Sequence, residues 1–312
     1  MNGILSVEGL SLSVPTGHVV QGRKQVLHDV CFSVARGSAT AYLGPNGAGK
    51  TSTFRILCGL SRADAGSVRF AGEVVCDARV RGGLPAHRFG FMPEQPYFYR
   101  NLTPRELLTG LGRLSGMSGR QLGAAIEDWA GRLDFEAVLG QPLRACSKGQ
   151  VQRVGLAQAL LHEPEFVLLD EPLSGLDPLG RERVRQVLHE VHAGGATLLF
   201  SSHILSDAEA MCDAVVVLDA GRVVHQGEIA GMLGKSERWA IVVEGDAGGL
   251  PAVQRVELGH GRYRLLVDGE AERDRLLNAL RTSFGCRLLS VEQDRQTLEQ
   301  AFISLLQDGR AS

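Results

Sequence analysis

The residues able to do chemistry fall in a few short runs of this 312-residue chain. Gly44-Pro45-Asn46-Gly47-Ala48-Gly49-Lys50-Thr51, followed by Ser52, fits the pattern GxxxxGK[ST]. Its glycines let the backbone turn tightly, so that successive N–H groups face phosphate oxygens, and the following helix adds its positive N-terminal end. Lys50 would reach the β- and γ-phosphates of a nucleotide, and Thr51 would offer its hydroxyl to Mg2+. A plain glycine turn is the bland alternative. Further on, "FVLLDE" sets Asp170 and Glu171 at the end of an apolar strand. Paired carboxylates leaving a buried strand are costly unless they bind a cation or take part in chemistry. Asp170 would hold Mg2+, often through water, and Glu171 would polarise an attacking water. Alone, that ending says little, because strands commonly close at acidic turns.

Three more runs have an ordinary reading and a chemical one. "CSKGQ" at 146–150 heads a helical segment. Ser147 with Gln150 three residues later is a capping box, and Val151, Val154 and Leu161 supply an apolar stripe behind it. In Ser174-Gly175-Leu176-Asp177, Asp177 stands as an N-cap before Pro178. His203 follows the strand "LLFSS" and, taken alone, reads as a satisfied surface or core histidine.

Taken in order, the glycine loop, Ser147/Gly149/Gln150, Asp170-Glu171, Ser174–Asp177 and His203 resemble the phosphate loop, signature motif, Walker B, D-loop and switch histidine of the ABC ATPases, over about residues 3 to 230. The resemblance implies ATP and Mg2+ as ligands. It implies that Ser147, Lys148, Gly149 and Gln150 contact a phosphate of the nucleotide held by a second copy, so that two chains pair head to tail in a homodimer. It gives Ser174–Asp177 a cross-subunit contact, and it makes Glu171 and His203 the catalytic pair, His203 reaching the γ-phosphate and positioning Glu171 and water. Three places depart from the family pattern. Cys146 and Lys148 replace the usual Leu and first Gly of the signature; Lys148 adds a cation near the γ-phosphate or is simply solvated. In "FGFMPEQPYFY", Glu94 falls where the Mg2+-contacting glutamine is usual, and a one-residue shift would restore Gln95. "VPTGHVVQGRKQ" lacks the aromatic that stacks on adenine, leaving His18, or Val19 and Val20, to replace it.

The elements that position these groups are legible from periodicity. Two β-like runs in the first forty residues predict a small antiparallel layer. "SATAYLG" predicts a buried strand entering the loop, "KTSTFRILCGL" the helix leaving it, and short strands are expected at Ser67–Phe70 and Arg88–Met92. "TPRELLTGLGRL" opens with Thr103 as cap, Pro104 at the first helical position and Glu106 completing a capping box. Strands "FVLLDE", "ATLLFSSH" and "AVVVLDAGRVV" alternate with helices, which implies a mostly parallel sheet covered by helices. Past about Gly234, three strands, a helix, a strand and a closing helix read as a separate domain. The expected architecture is therefore an α/β ABC ATPase fold over 1–233, with a parallel-sheet core, an N-terminal antiparallel β subdomain and a helical subdomain at about 96–160, plus a small α+β domain over 234–312.

Composition narrows the setting. Hydrophobic residues make up 44% and charged residues 22%, as in a globular protein, and the formal charge of −2 gives no general case for nucleic acid as a partner. No stretch approaches the roughly 18–20 apolar residues that cross a bilayer, and the N-terminus lacks the pattern of a signal peptide. The six cysteines are scattered without a CxxC pair and are expected to be buried thiols. One cassette, no heptad array and no CxxC favour, within the family, a transporter subunit: a cytoplasmic protein held on the inner face of the membrane by separate transmembrane permease subunits. The consecutive Tyr97, Phe98 and Tyr99 cannot all face one core, so at least one is expected at the surface. The resemblance to the transporter branch, where the permease docks at this place, implies that they form the permease docking surface, with core filling as the alternative. "QTLEQAFISLLQ" resembles the LE-x-x-F ending of single-cassette export ATPases. An importer ATPase, or a soluble ABC ATPase acting on ribosome or DNA, is the competing reading.

Overall fold

The computed structural model describes residues 3–16, 22–77, 80, 82–233, 238–247, 249–250, 252, 254–282, 285–294 and 296–311. His18, Val19 and Val20, weighed above as adenine contacts, lie outside the described residues. The chain divides into two compact units, Met1–Ile229 with Leu305–Ser312, and Ala230–Ser304.

The first unit begins with long strands β1 (Gly3–Thr16) and β2 (Gly22–Ala35), followed by β3 (Ala39–Leu43) and helix α1 (Lys50–Leu57). Strands β4 (Ala65–Phe70), β5 (Glu73–Cys76) and β6 (Phe89–Met92) come next. Helices α2 (Pro104–Leu114), α3 (Gly119–Arg132) and α4 (Lys148–Leu160) make up the helical insertion. Then follow β7 (Phe166–Asp170), α5 (Pro178–Ala193), β8 (Thr197–Ser202), α6 (Leu205–Met211), β9 (Ala214–Asp219), β10 (Arg222–Glu228) and the first residue of α7 (Ile229–Leu233), the rest of which belongs to the second unit.

Two sheets result. One is antiparallel, in the order β2-β1-β4-β5. The other runs β10-β9-β3-β8-β7-β6 and is parallel except at its β9–β10 edge. Every residue of β3, β7 and β8 is buried, as expected of strands covered on both faces, and this is why their middles are largely apolar without alternation. The β3, β7 and β8 carboxyl ends lie side by side, the pairs being Leu43 with Ser202 and Asp170 with Ser201. Open parallel sheets bind ligands outside the carboxyl ends of their strands. The core beneath contains Phe32 and Tyr42 with ring centroids 5.2 Å apart, Tyr42 and Phe54 at 5.5 Å, and Phe70 and Phe166 at 5.8 Å. Contacts of that kind are worth about 0.5–1.5 kcal/mol each beyond area burial.

"AVVVLDAGRVV" is two strands rather than one. Ala220 and Gly221 have φ of 43° and 77°, and Asp219 pairs with Arg222 across them. Two consecutive positive φ values make a two-residue hairpin turn, so the run reverses direction. Strand β5 and helix α7 also lie outside the sequence expectation. All six cysteines are free, but Cys31 is exposed and only Cys76 and Cys212 are fully buried. No helix among the described residues is long and apolar enough to cross a membrane.

The second unit contains β11 (Arg238–Gly245), β12 (Gln254–Gly259), β13 (Arg262–Asp268), α8 (Glu270–Thr282), β14 (Cys286–Gln293) and the start of α9 (Leu298–Ala311). Its antiparallel sheet has the order β12-β13-β11-β14. Ile241, Val243, Leu265 and Val267 pack with Leu276 and Leu280 of α8 in a core of their own.

Candidate functional site

The glycine loop joins β3 to α1 where the parallel strands end. Gly49, at the N-cap of α1, has φ of 112°, a conformation that side-chain-bearing residues rarely adopt. Gly44 is required for a different reason: a Cβ there would sit 2.3 Å from the Leu218 carbonyl oxygen. The loop is thus pressed against β9 at its Gly44 end. Lys50 is only 8% exposed, and its Nζ donates to the carbonyls of Gly44 (2.6 Å) and Pro45 (3.3 Å). Burial lowers its pKa, while the charges of Glu171, Asp170 and Glu94 pull it back up. A buried ammonium bonded to loop carbonyls, with no ion pair among the described residues, is suited to receive an anion.

Thr51 Oγ1 donates to Asp170 Oδ2 at 3.0 Å, so the two oxygens expected to hold a divalent cation are side by side. Oxygen donors of this kind, one carboxylate and one hydroxyl with room for water and phosphate, fit Mg2+. Glu94 and Gln95 diverge. Glu94 acts electrostatically on Lys50, whereas Gln95 Oε1 accepts from the Tyr97 hydroxyl at 3.2 Å. The Gln95 oxygen is thus engaged by Tyr97, while the Glu94 charge acts toward Lys50.

Asp170 is 3% exposed, and its other oxygen, Oδ1, accepts from Ser201 Oγ at 2.6 Å. The same hydroxyl accepts from the Glu171 N–H at 2.9 Å. Glu171 itself has φ of 52°, a left-handed conformation that costs a side-chain-bearing residue roughly 1–2 kcal/mol. Its carboxylate turns to His203, with Oε2 2.6 Å from Nδ1 and 3.3 Å from the His203 N–H. Its carbonyl accepts from Ser174 N–H at 3.0 Å and from the Gln152 amide at 3.4 Å. Asp177 caps α5 by accepting from Gly180 N–H at 2.9 Å. Lys50, Thr51, Asp170, Glu171 and His203, with Glu94 alongside, therefore form one constellation. A carboxylate held by a histidine beside a phosphate loop can orient and deprotonate a water for attack on a phosphoryl group.

The signature run is built as a helix head. Ser147 Oγ accepts from Gln150 N–H at 3.2 Å, and Gln150 Oε1 accepts from Ser147 N–H at 2.8 Å, a complete capping box. Arg153 ties α4 to the end of α3 through Leu133 O, Asp134 O and the Asp134 carboxylate. The Lys148 side chain lies over Gly175, where an added Cβ would meet its Cε at 2.9 Å. Among the described residues, no hydrogen bond or ion pair joins Ser147–Gln150 to the phosphate loop. Tyr97 and Tyr99 are 90% and 82% exposed, and Phe98 is half-buried.

Two residues of the site escaped sequence reasoning, Ser201 and Gln152. Both are buried polar side chains, at 0% and 2% exposure. Their only sequence signal is a hydroxyl two residues before His203 and an amide two residues after Gln150.

Residues 27–174 match the family model described as "ABC transporter". An ABC transporter ATP-binding protein of Synechocystis sp. is 37% identical, the match covering 94% of this chain and 82% of that one. The Nod factor export ATP-binding protein I of Sinorhizobium fredii is 32% identical over 91% of this chain and 82% of its own. Among solved structures, the ATP binding subunit of an ABC transporter matches with a TM-score of 0.63 and 33% identity, covering 73% of this chain and 91% of that one. An ATP-binding cassette solved as a dimer in a post-hydrolysis state with ADP and Pi matches in fold, with a TM-score of 0.65 at 21% identity over 73% and 99% of the two chains. With that identity sustained over most of both chains, this protein belongs to the ABC transporter ATP-binding protein family and is an ABC-type ATPase.

Proposed function

We propose that the chain is the motor of an exporter: two copies pair head to tail, sandwich two ATP molecules, and drive a separate membrane permease from its cytoplasmic face. The observation that carries the pairing is the head of α4. Its capping box satisfies Gln150 and Ser147, while the Lys148 and Gly149 N–H groups have no acceptor among the described residues, as the first N–H groups of a helix lack intrahelical partners. Free N–H groups at a helix head attract an anion, and these have no hydrogen bond to the chain's own phosphate loop. A phosphate of the partner's nucleotide has the matching charge.

In this reading Gly44–Ser52 and Lys50 bind the triphosphate of ATP, and Thr51, Asp170 and Glu94 hold Mg2+. The cation, when bound, neutralises charge on the phosphates. Glu171 orients and deprotonates the attacking water, and His203 fixes the Glu171 carboxylate. Ser174–Asp177 lies at the subunit boundary. Tyr97, Phe98 and Tyr99 dock the permease: exposing two large aromatic side chains to water is a feature of contact surfaces. Export is supported by the relatives named for Nod factor export, of which the Sinorhizobium fredii protein matches both units in length. The test is co-purification from detergent-solubilised membranes. Recovery of a multi-span membrane protein with the wild-type chain, and its loss when Tyr97 and Tyr99 are both changed to Ala, is the expected result. Recovery of ribosomes or DNA in place of a membrane protein overturns the transporter assignment.

A further inference from the structure

Glu171 has the most constrained backbone of any side chain in the site. It sits at φ of 52°, immediately after a wholly buried strand, and its carboxylate must reach both His203 and the space over the phosphate loop. Nothing in Glu171 itself favours that conformation. Its peptide groups are instead gripped from outside: Ser201 Oγ takes the N–H at 2.9 Å, and the Gln152 amide reaches the carbonyl at 3.4 Å, beside the Ser174 N–H. The two grips come from different elements. Ser201 belongs to β8, the strand paired with β7, and its hydroxyl hydrogen is spent on Asp170 Oδ1 at 2.6 Å. One hydroxyl therefore fixes the cation-binding carboxylate and the peptide of its neighbour together. Gln152 belongs to α4, the helix that Ser147 caps.

We infer that Ser201 and Gln152 are positioning residues for hydrolysis: together they hold the Glu171 peptide in its left-handed turn, and with it the carboxylate over the attacking water. Their described hydrogen bonds go to Asp170 and Glu171 rather than to the phosphate loop, so removing either is expected to misplace Glu171 while leaving that loop intact. Because Gln152 rides on α4, the placement of Glu171 depends on where α4 sits. In the dimer proposed above, α4 also carries the phosphate contact of the opposite site, and the consequence for each site's water-activating carboxylate rests on that reading. The hold itself rests only on this chain.

The inference is tested with substitutions matched in shape. Ser201→Thr keeps the hydroxyl and Ser201→Val removes it at equal volume, so their ratio reports the hydroxyl whatever the packing cost at a buried position. Gln152→Met keeps the length and removes the donor. Turnover is measured in the isolated chain with MgATP, beside ATP affinity by equilibrium binding, with wild type and Glu171→Gln as controls. A misplacement of the reacting groups by about 1 Å costs on the order of 100-fold. The expected results are a kcat for Ser201→Val at least about 10-fold below that of Ser201→Thr, a similar fall for Gln152→Met relative to wild type, and ATP affinity in all of them within about 3-fold of wild type. A parallel loss of affinity marks a merely structural role and overturns the inference, as does equal turnover of the Thr and Val variants with wild-type turnover of Gln152→Met. If Glu171→Gln hydrolyses ATP at the wild-type rate, the role of Glu171 falls and the inference falls with it. If Glu171→Gln is inactive while both donor-less variants keep wild-type turnover, only the inference falls.

Discussion

Replacing Lys50 with Met tests the nucleotide site most directly. The side chain is buried, so Met fills the same slot and leaves the packing of α1 intact, while the charge and three N–H donors disappear. Among the described residues those donors serve the Gly44 and Pro45 carbonyls. In the proposed role the ammonium donates to phosphate. A hydrogen bond to a charged group contributes about 1.5–3 kcal/mol, and at 1.4 kcal/mol per tenfold this is a loss of affinity of roughly 10- to 150-fold. The pH dependence adds an independent check. Burial lowers the Lys50 pKa below the ordinary lysine value. Phosphate favours the charged form, so above the lowered pKa binding must take up a proton. ATP affinity should accordingly fall as pH rises through that value, earlier than an exposed lysine would allow, and Lys50→Met should lack this fall. Isothermal titration of ATP into both proteins over a pH series reads both effects. An affinity within about 3-fold of wild type for Lys50→Met would refute the assignment of Lys50 to phosphate.

Other outcomes follow from the same geometry. Glu171→Gln removes the base but keeps its shape, so turnover should drop by about 100-fold or more; ATP and Mg2+ should then hold the chain as a dimer by light scattering, and a monomer under those conditions contradicts the sandwich. His203→Ala frees the Glu171 carboxylate, which Nδ1 meets at 2.6 Å; turnover should fall while ATP affinity, read by equilibrium binding, stays. Ser147→Ala breaks the capping box and should cost about 1 kcal/mol in a urea titration, together with weaker ATP-driven pairing in the Glu171→Gln background. Tyr97→Ala with Tyr99→Ala should leave the ATPase rate of the isolated chain unchanged, since both side chains are largely solvent-exposed, and should remove the chain from membrane pull-downs.

What could be read from sequence was local. The loop from Gly44 to Thr51 is announced by its own glycines, and both reasons for them, the φ of Gly49 and the close approach at Gly44, act within one turn between strand and helix. The capping boxes at Thr103 and Ser147 and the cap at Asp177 were legible for the same cause, because donor and acceptor lie three residues apart. The hairpin at Ala220-Gly221 was local as well, yet it hid because Ala gives no signal of positive φ; Gly221 alone looked like one interruption in an apolar run. Glu94 and Gln95 show the limit more sharply. Neighbours in sequence, they act differently, Glu94 through its charge toward Lys50 and Gln95 through the Tyr97 hydroxyl, and no spacing rule separates them.

The residues that sequence missed are those whose partners are distant. Ser201 reaches Asp170 and Glu171 across 31 and 30 positions, and Gln152 reaches Glu171 across 19. Each has a polar group that a buried strand or a buried helix face should exclude, and burial without a partner is costly enough that a partner must exist. The direction of inference is therefore the reverse of motif reading. A motif names the groups that meet the substrate; a buried Ser or Gln with no local cap to serve points to the backbone that those groups hang from. In this chain that backbone is the peptide of Glu171, held between the strand that His203 follows and the helix that Ser147 caps. The geometry of hydrolysis is thus shared by three elements, although the sequence displays it as separate motifs.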